Sequence, residues 1–455
     1  MSKIQPGLPK GMRDFLPEQM LKRQFVMNTI RGIFEKYGYE PLETPSIEKL
    51  KILSGKYGDE GEQLMFKVLR RGTGLEELRR GQKEFVVTDY GQVVEESLRY
   101  DLTVPLSRVI AMHQDKLLFP FKRYQIQPVW RADRPQRGRF REFYQCDIDA
   151  VGVASLLADA EAICILNEVL TTLGFNNFQI RINNRKLLNG IIESVGLVPS
   201  ENAGILVAID KLDKIGFAGV EKALSALEVT ADKISAILDI LAIAGNAPEM
   251  LDRLLSRAGD TESLRAGAEE LTELFEFLYQ FQVDKSNWKL DLFLVRGLGY
   301  YTGPVFESVV EKPAIGSIAG GGRYDGLIGM FLGRNIPATG VSFGIERIIE
   351  VMAELELLPD LQTKTHVYVT VFDLSTQANA IAFAQKLRVA GICAELCLDS
   401  SKFKKQMNFA NRKNIPFVAV IGPDEIAQGK VNLKNMRSGA QELLSEEEAI
   451  SKLKK

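Results

Sequence analysis

The segment from Arg131 to Arg141 carries five arginines in eleven residues, and any fold of this chain must accommodate that concentrated positive charge. A turn signal containing Pro135 and Gly138 lies in the middle of the segment. On either side of it are stretches with strand character, residues 117–130 and 140–151. The sequence therefore predicts two strands joined by an arginine-rich turn. An exposed and solvated run of charge is the alternative interpretation.

Side chains alternate between the two faces of a strand, so residues of one parity share a face. In the second stretch that shared face carries Arg139, Arg141, Phe143, Gln145 and Asp149. Cations would then lie at one end of the face and polar acceptors at the other, as in a pocket for a zwitterionic or polyanionic ligand. Arginine also suits two-pronged binding of phosphate or carboxylate. This arrangement favours a binding site over a solvated surface.

The bulk composition narrows the class of protein. A chain of 455 residues is expected to form two or three domains, and its net charge of −2 gives no overall basic field for nucleic acid. The four cysteines form no C-x-x-C pair, and the C-x-x-x-C of Cys393 and Cys397 is a weak metal signal beside buried thiols. With no apolar run of membrane-spanning length and no signal-peptide core, we expect a cytoplasmic protein with no membrane contact.

Pattern changes along the chain predict its organisation. We expect strands at 63–71 and 96–106, with a polar insertion or long hairpin at about 71–95. Apolar residues then recur at helical spacing from Lys186 to about 282, which predicts a helical module inserted between strands. After it, "LDLFLV" predicts a strand ending at Arg296, "SIAGGGRYDGL" a glycine-rich turn, and "ATGVSFGIERIIEVMAEL" a strand that runs into a helix.

A second domain is predicted after a polar joint at 361–365. Strand and helix patterns alternate there, which is typical of a small α/β domain with a mostly parallel sheet. Residues 364–455 contain 14 Lys and Arg against 9 Asp and Glu, a net charge of about +5 that leaves about −7 for the rest of the chain. This asymmetry favours a nucleic-acid contact at the carboxyl end, although a solvated basic surface is also possible.

The residues available for chemistry exclude several mechanisms. The only histidines are His113 and His366, and neither lies in a polar cluster, so nucleophile and base schemes have little support. No P-loop sequence occurs. The chain instead places arginines at predicted strand ends and turns: Arg131, Arg139, Arg296, Arg323 and Arg347. Displacement at a phosphorus atom needs this kind of charge and alignment.

Four stretches resemble motifs of one enzyme family. "WRADRPQRGRFREFYQCDIDAVG" and "GVSFGIERI" resemble the second and third motifs of class II aminoacyl-tRNA synthetases. "LVRGLGYYTGPVFE" and "AGGGRYDGL" resemble the two histidine-specific motifs of histidyl-tRNA synthetases, and the resemblance runs from "PKGMRDFLP" to "KKQMNFANRKNIPFVAVIG". It implies an α/β (α+β) fold. An antiparallel-sheet catalytic domain over 1–360 would carry a helical insertion at about 186–285, and a small α/β anticodon-binding domain would occupy 364–455.

The resemblance also implies roles for individual residues. For ATP, Arg131 would bind the α-phosphate, Arg139 would contribute to the nucleotide site, Phe140 would stack on adenine, and Arg347 would lie against the phosphates. Arg296 matches the family's additional catalytic arginine, near both the α-phosphate and the histidine. The other implied histidine-binding residues are Asp101, Thr103, Gln145, Asp149, Tyr300, Tyr301 and Tyr324. Gly299 stands where aspartate is usual in the family.

The family implies ATP with Mg²⁺ held mainly through its phosphates, L-histidine and tRNA(His) as substrates, and a homodimer with the helix from Asp14 to Tyr37 near the interface. Two alternatives share the fold. One is the synthetase-like regulatory subunit of the histidine-biosynthetic phosphoribosyltransferase, which typically lacks the second domain and loses catalytic residues. The other is a synthetase of different specificity, which the two histidine-specific motifs disfavour.

Overall fold

A computed structural model of the chain describes residues 4–54, 58–71, 93–259, 261–297, 300–399 and 402–454. These form two compact units. The first comprises residues up to 13 together with 26–358, and the second comprises 14–25 together with 359–455. The insertion predicted at 71–95 lies largely outside the described residues. In the described residues, no helix is both long and apolar enough to cross a bilayer.

The described strands are numbered in chain order. They are β1 Glu40–Pro41, β2 Ile47–Lys49, β3 Lys67–Leu69, β4 Val94–Leu98, β5 Phe121–Trp130, β6 Glu142–Val151, β7 Phe178–Asn184, β8 Trp288–Leu290, β9 Pro304–Val310, β10 Ser317–Arg323, β11 Ala338–Gly344, β12 Val367–Val369, β13 Ala394–Leu396, β14 Phe417–Val420, β15 Lys430–Asn435 and β16 Gln441–Ser445.

The described helices are Pro17–Lys36, Leu50–Leu53, Gly58–Gln63, Thr103–His113, Leu157–Thr172, Arg185–Ser194, Ala203–Ile209, Leu212–Ala226, Ala231–Leu241, Ala247–Ala258, Glu262–Gln280, Asp325–Leu332, Ile345–Glu354, Gln377–Val389, Phe403–Arg412, Pro423–Ala427 and Glu446–Leu453, with a 3₁₀ turn at Lys285–Asn287.

The first unit is built on an eight-stranded sheet with the order β1-β5-β6-β11-β10-β9-β7-β8. Its six inner strands pair antiparallel, and only the two edge pairings are parallel. A smaller antiparallel sheet has the order β2-β4-β3. The predicted antiparallel-sheet domain is therefore confirmed, as is the predicted strand that runs into a helix at Ile345.

Residues 185–280 contain six helices joined by turns and short loops, and no strand lies in the part of this range that the structure describes, as the spacing of apolar residues predicts. Side chains cap three of these helices: Asn184 accepts from Lys186 N at 2.8 Å, Asn246 accepts from Glu249 N at 3.1 Å, and Thr261 accepts from Leu264 N at 3.2 Å. The helices Arg185–Ser194 and Glu262–Gln280 pack closely against each other. Their approach needs glycine at position 267, since a Cβ there would lie 2.3 Å from Leu187 N. Local spacing and capping thus account for the module.

The strand predicted at 96–106 ends early. β4 stops at Leu98, and a helix begins at Thr103. Asp101 Oδ1 accepts a hydrogen bond from Val104 N at 3.1 Å and so satisfies a free N–H in the first turn. Pro105 is tolerated there because it lies in that first turn. The β-branched "LTVPL" favoured a strand locally, and this cap and the burial of Val104 and Leu106 overrode that preference.

Two further predictions of local structure were wrong. Only the first residue of "LDLFLV" lies in a strand, because β8 stops at Leu290. Asp291 Oδ1 then accepts a hydrogen bond from Phe293 N at 3.1 Å, which forms a turn. The stretch "SIAGGGR" is not a turn, since it forms β10 in the middle of the sheet. Its glycines are needed for space, since a Cβ on Gly321 would lie 1.9 Å from Gly340 O in the neighbouring strand.

The second unit contains a five-stranded sheet with the order β13-β12-β14-β15-β16. Only the pairs β12/β13 and β12/β14 are parallel, and the last two strands add an antiparallel hairpin that the sequence analysis did not predict. The sheet is therefore mixed rather than mostly parallel. Val367, Phe383, Leu387 and Val418 belong to its buried core. Of the four cysteines, Cys146 and Cys397 are buried, Cys164 is half-buried and Cys393 is exposed.

Candidate active site

A cleft of about 1420 Å³ lies in the first unit and is lined by β6, β10 and β11 together with the loops before β6 and β9. The twelve residues to which the motif resemblance assigned a binding or catalytic role all line this one cleft. They are Asp101, Thr103, Arg131, Arg139, Phe140, Gln145, Asp149, Arg296, Tyr300, Tyr301, Tyr324 and Arg347. Residues separated by more than 200 positions in sequence thus meet in a single concave site.

The hairpin of β5 and β6 supplies the floor of the cleft. As the alternation predicts, Phe143, Gln145 and Asp149 all line it. Arg139 also lines the cleft, but from the turn before β6, where its N–H donates to Gln136 O at 2.9 Å. The prediction for Arg141 was wrong. Arg141 precedes β6 and does not line the cleft, and its Nε donates to Asp133 O at 3.1 Å.

Arginines gather at one end of the cleft. Arg347 lies in the first turn of the helix Ile345–Glu354, where its Nη1 donates to Ser317 O. Burial lowers the pKa of the Arg347 guanidinium, and the positive charges of Arg139, Arg296 and Arg131 lower it further. Arg131 is held by a 3.1 Å bond from Nε to Tyr100 O and by stacking on the Tyr100 ring. Four mutually repelling cations in a concave site favour an anionic ligand; we call these four residues the arginine pole.

Within the arginine pole, Arg296 lies in a loop and not at the end of a strand, where the sequence predicted it. Its Nη1 lies 3.1 Å from Ser317 Oγ and 3.5 Å from Glu307 Oε2. The guanidinium crosses the backbone of β10 at Gly320, where a Cβ would lie 1.5 Å from Arg296 Nη1. The glycines of this motif therefore leave room for a protein side chain, in addition to any room they leave for a ligand.

Buried carboxylates form the other end of the cleft. Asp149 faces Arg123 directly across the hairpin, with Arg123 Nη2 2.7 Å from Asp149 Oδ2. Tyr324 OH donates to Asp149 Oδ1. Burial raises the pKa of Asp149 to about 6, although the Arg123 charge and the Tyr324 hydrogen bond oppose the rise. Asp149 is therefore held in position on both oxygens before any ligand binds.

Asp147 lies between Gln145 and Asp149 on the same face of β6 and also lines the cleft. Burial raises its pKa to about 7, with Arg123 lowering it and the negative charge of Asp149 raising it. Its Oδ1 and the Oε1 of Gln145 are buried and have no hydrogen-bond partner in the described residues. With Asp101, these residues leave more acceptors than donors at this end, which favours a ligand that carries N–H groups and positive charge. We call Asp101, Asp147 and Asp149 the carboxylate pole.

Three tyrosine rings pack together beside the carboxylates. The ring centroids of Tyr300 and Tyr301 are 4.4 Å apart, and those of Tyr300 and Tyr324 are 6.4 Å apart with the rings nearly perpendicular. Gly297 has φ +58°, and a Cβ there would lie 2.1 Å from the Tyr301 ring, so the loop needs glycine on both counts. Gly299 lies outside the described residues.

Three residues of this region were not predicted from the sequence, and Arg323, like Arg141, was wrongly predicted to belong to it. Asp147, Glu307 and the buried Arg123 were not assigned to the site. The register of the hairpin could have identified Arg123, because it places that residue opposite Asp149. Arg323 does not line the cleft. It is buried against Asp159 and the carbonyl oxygens of Val153 and Ser155, where it supports the fold.

Comparisons with known proteins identify the family of this chain. The family model described as histidyl-tRNA synthetase matches residues 11–348, and the model described as anticodon binding domain matches residues 366–455. The chain is 44% identical to a histidine–tRNA ligase of Cytophaga hutchinsonii over 98% of this chain and 99% of that protein. It is 45% identical to one of Bacteroides fragilis, with 99% of each chain covered.

A solved structure gives the same result. The crystal structure of histidyl-tRNA synthetase from Nostoc sp. PCC 7120 covers 99% of both chains, with a TM-score of 0.84 and 32% sequence identity. Both the sequence comparison and the structural comparison thus extend across the catalytic and the carboxyl-terminal regions. This chain belongs to the histidyl-tRNA synthetase family and carries that family's anticodon-binding domain at its carboxyl end.

Proposed function

We propose that the cleft joins histidine to ATP in the first step of charging tRNA(His). Membership of the family supplies the overall reaction, which is the ATP-dependent ligation of L-histidine to tRNA(His). The carboxylate of histidine attacks the α-phosphorus of ATP, so that histidyl-adenylate forms and pyrophosphate leaves. No general base is needed, because an α-carboxyl group is ionised at neutral pH. The barrier lies in bringing two anions together and in stabilising the charge that develops on phosphorus.

In this proposal the arginine pole binds the nucleotide. Arg131 and Arg347 hold the phosphates, Arg139 contributes to the nucleotide site, and Phe140 stacks on the adenine. Two observations support these roles. The three arginines and Phe140 line one end of the cleft, and Arg347 is repelled by the other arginines in the absence of an anion. Binding of a triphosphate reduces that repulsion, so the negative charge of the ligand helps to hold the arginines in place.

Arg296 is proposed as the catalytic cation, placed to contact both the carboxylate of histidine and the α-phosphate. Its guanidinium lies in the groove left by Gly320, with Ser317 Oγ and Glu307 fixing its end. A cation that is held before the reaction begins stabilises the transition state without paying to reorganise the site. Arg296 has this kind of fixed position.

The carboxylate pole is proposed to bind histidine. The α-ammonium group of histidine is bound by Asp101, Thr103 and Gln145. Asp149, which is hydrogen-bonded to Tyr324, lies deeper in the cleft. The support is the surplus of buried acceptors here, including the unpartnered Gln145 Oε1. The imidazole ring lies among Tyr300, Tyr301 and Tyr324, whose rings form an aromatic wall with hydroxyl groups at its edge.

In the second step the histidyl group passes from the adenylate to a 3′-hydroxyl of the terminal ribose of tRNA, and AMP leaves. We propose that the carboxyl-terminal region recognises the anticodon. The match of residues 366–455 to an anticodon-binding domain and the net charge of about +5 over 364–455 both support this role.

Mg²⁺ is proposed to enter bound to the phosphates of ATP. In the described part of the chain, no group of three or more His, Cys, Asp or Glu side chains lies close enough together to hold a metal. Glu307 is a carboxylate beside Arg296 that could contact a cation held by the phosphates. The ion would neutralise phosphate charge and orient the leaving pyrophosphate.

The family also leads us to propose a homodimer that works in the cytoplasm, with the helix Pro17–Lys36 near the interface. Light scattering behind a size-exclusion column measures the mass directly. A mass near twice 50.8 kDa is expected, and a mass near 50.8 kDa at micromolar concentration would rule out a stable dimer.

The observation that carries the proposal is that one cleft has an arginine pole and a carboxylate pole, as a triphosphate beside a zwitterionic amino acid requires. The test is transfer of radiolabelled histidine to tRNA transcripts. Charging is expected with tRNA(His), and a tRNA for another amino acid serves as the matched control. Failure to charge tRNA(His), or equal charging of both, would contradict the proposal.

A further inference from the structure

The segment before the first helix packs against the arginine-rich turn. Arg141 N donates to Gly11 O at 2.9 Å. Gly11 has φ +81°, and a Cβ there would lie 2.8 Å from Pro135 Cγ and 2.9 Å from Arg141 Cγ. This close approach needs glycine at position 11, and it fixes the position of the residues that follow it.

Arg13 then contacts both elements that carry the proposed nucleotide site. Its Cζ lies 3.2 Å from the centroid of the Phe140 ring, and its Nη2 lies 2.5 Å from Glu346 Oε2. Glu346 is buried in the first turn of the helix that carries Arg347, and its Oε1 lies 3.5 Å from Tyr144 N. A single guanidinium thus joins Phe140 to the residue adjacent to Arg347.

The contact covers one face of Phe140. Phe140 lines the cleft and Arg13 does not, from which we infer that Arg13 stacks on the side of the ring turned away from the cleft. A cation over one face of an aromatic ring holds the ring at a fixed distance and angle. The salt bridge to Glu346 in turn fixes the guanidinium, because both groups are at least half-buried.

We propose that Arg13 is a positioning residue for ATP, which holds the Phe140 ring and the start of the Arg347 helix in their ligand-ready arrangement. This inference rests on the proposed role of Phe140 in stacking on adenine. It extends the nucleotide site to a residue that touches no substrate. Without Arg13, the ring would gain freedom that ATP binding would have to remove, and histidine binding at the carboxylate pole would be unaffected.

The test is the steady-state KM for each substrate in pyrophosphate exchange by the full chain. Arg13→Ala is expected to raise the KM for ATP by about tenfold and to leave the KM for histidine within about twofold. Arg13→Lys keeps a charge for Glu346 but loses the planar stack, so it is expected to recover only part of the ATP affinity. Arg257→Ala removes an exposed arginine paired with Asp239 in the helical module, and it is the matched control with unchanged values.

Phe140→Ala separates failure of this inference from failure of the site assignment. If Phe140→Ala raises the KM for ATP but Arg13→Ala does not, Arg13 has no positioning role. If Phe140→Ala has no effect on that KM, the adenine site itself is assigned wrongly. Equal increases in both KM values for Arg13→Ala would also overturn the inference, because they indicate a general loss of structure. If Arg13→Ala does not fold, the same comparison on Arg13→Lys decides the matter.

Discussion

The guanidinium of Arg296 fills the space that a side chain at position 320 would need: a Cβ on Gly320 would lie 1.5 Å from Arg296 Nη1 and 2.6 Å from its Cζ. The guanidinium can therefore hold its position across β10 only because residue 320 has no side chain. The position of the proposed catalytic cation thus depends on a residue that carries no functional group.

Gly320→Ala is expected to lower the rate of adenylate formation almost as much as loss of Arg296 itself. The new methyl group would meet the flexible end of Arg296 and would lie 3.2 Å from Phe306 O, so we expect the arginine to move and the neighbouring strand to shift only slightly. Single-turnover formation of histidyl-adenylate gives the rate, and thermal unfolding checks the fold. Gly326→Ala is the matched control, because a Cβ at position 326 meets nothing within 4 Å. A Gly320→Ala enzyme with the wild-type rate would show that the present position of Arg296 is not the productive one.

Arg296→Ala is expected to slow histidine activation far more than it weakens the binding of either substrate. Removing one donor aimed at charge that develops in the transition state costs on the order of 10²–10³ in rate. Lysine should restore only part of the rate, because it lacks the planar two-pronged contact. Rapid-quench measurement of adenylate separates the rate from binding. An Arg296→Ala enzyme that folds normally and stays within a fewfold of wild type would exclude a catalytic role for Arg296.

Asp149→Ala is expected to weaken histidine binding and leave ATP binding nearly unchanged. The change leaves the fully buried Arg123 without its ion-pair partner, which typically costs about 3–5 kcal/mol of stability, so the less disruptive Asp149→Asn should be measured beside it. Calorimetric titration with histidine, and separately with ATP, gives both affinities. Unchanged affinity for histidine in a folded Asp149→Asn protein would remove Asp149 from the pocket.

Asp147→Asn is expected to stabilise the protein more at pH 8 than at pH 5. Burial raises the folded-state pKa of Asp147 to about 7, above its ordinary value of 3.8, so the folded state favours the protonated form. The stabilising contribution of that protonated carboxyl group is full below pH 3.8 and is lost as pH rises from there through about 7, so more of it is lost at pH 8 than at pH 5. Asparagine stays neutral throughout. Thermal unfolding at the two pH values measures the difference, and a larger stabilisation at pH 5 than at pH 8 would contradict the assignment.

Much of the fold followed from local patterns. Alternation along residues 140–151 predicted the face that carries Phe143, Gln145 and Asp149, and helical spacing predicted the module around Ile234. Such patterns depend only on residues that are close together in the sequence, so a single sequence is enough to predict them.

Features decided by a single local cap or by distant residues were not predictable in this way. The strand-like "LTVPL" became a helix through the cap from Asp101, and Asp291 ended a strand that apolar residues seemed to continue. The triple glycine of β10 looked like a turn, because nothing in its sequence shows that the Arg296 guanidinium and the Gly340 carbonyl must fit beside it. Arg123 was overlooked because its partner is set by the register of a hairpin.

The most direct measurement of the central claim is amino-acid-dependent exchange of pyrophosphate into ATP, run with each of the common amino acids and no tRNA. The account predicts exchange with histidine and only background with the others. It also predicts that this exchange is lost in Arg296→Ala and Gly320→Ala and retained in Gly326→Ala. Absence of exchange with histidine, or comparable exchange with another amino acid, would contradict the claim that this cleft activates histidine.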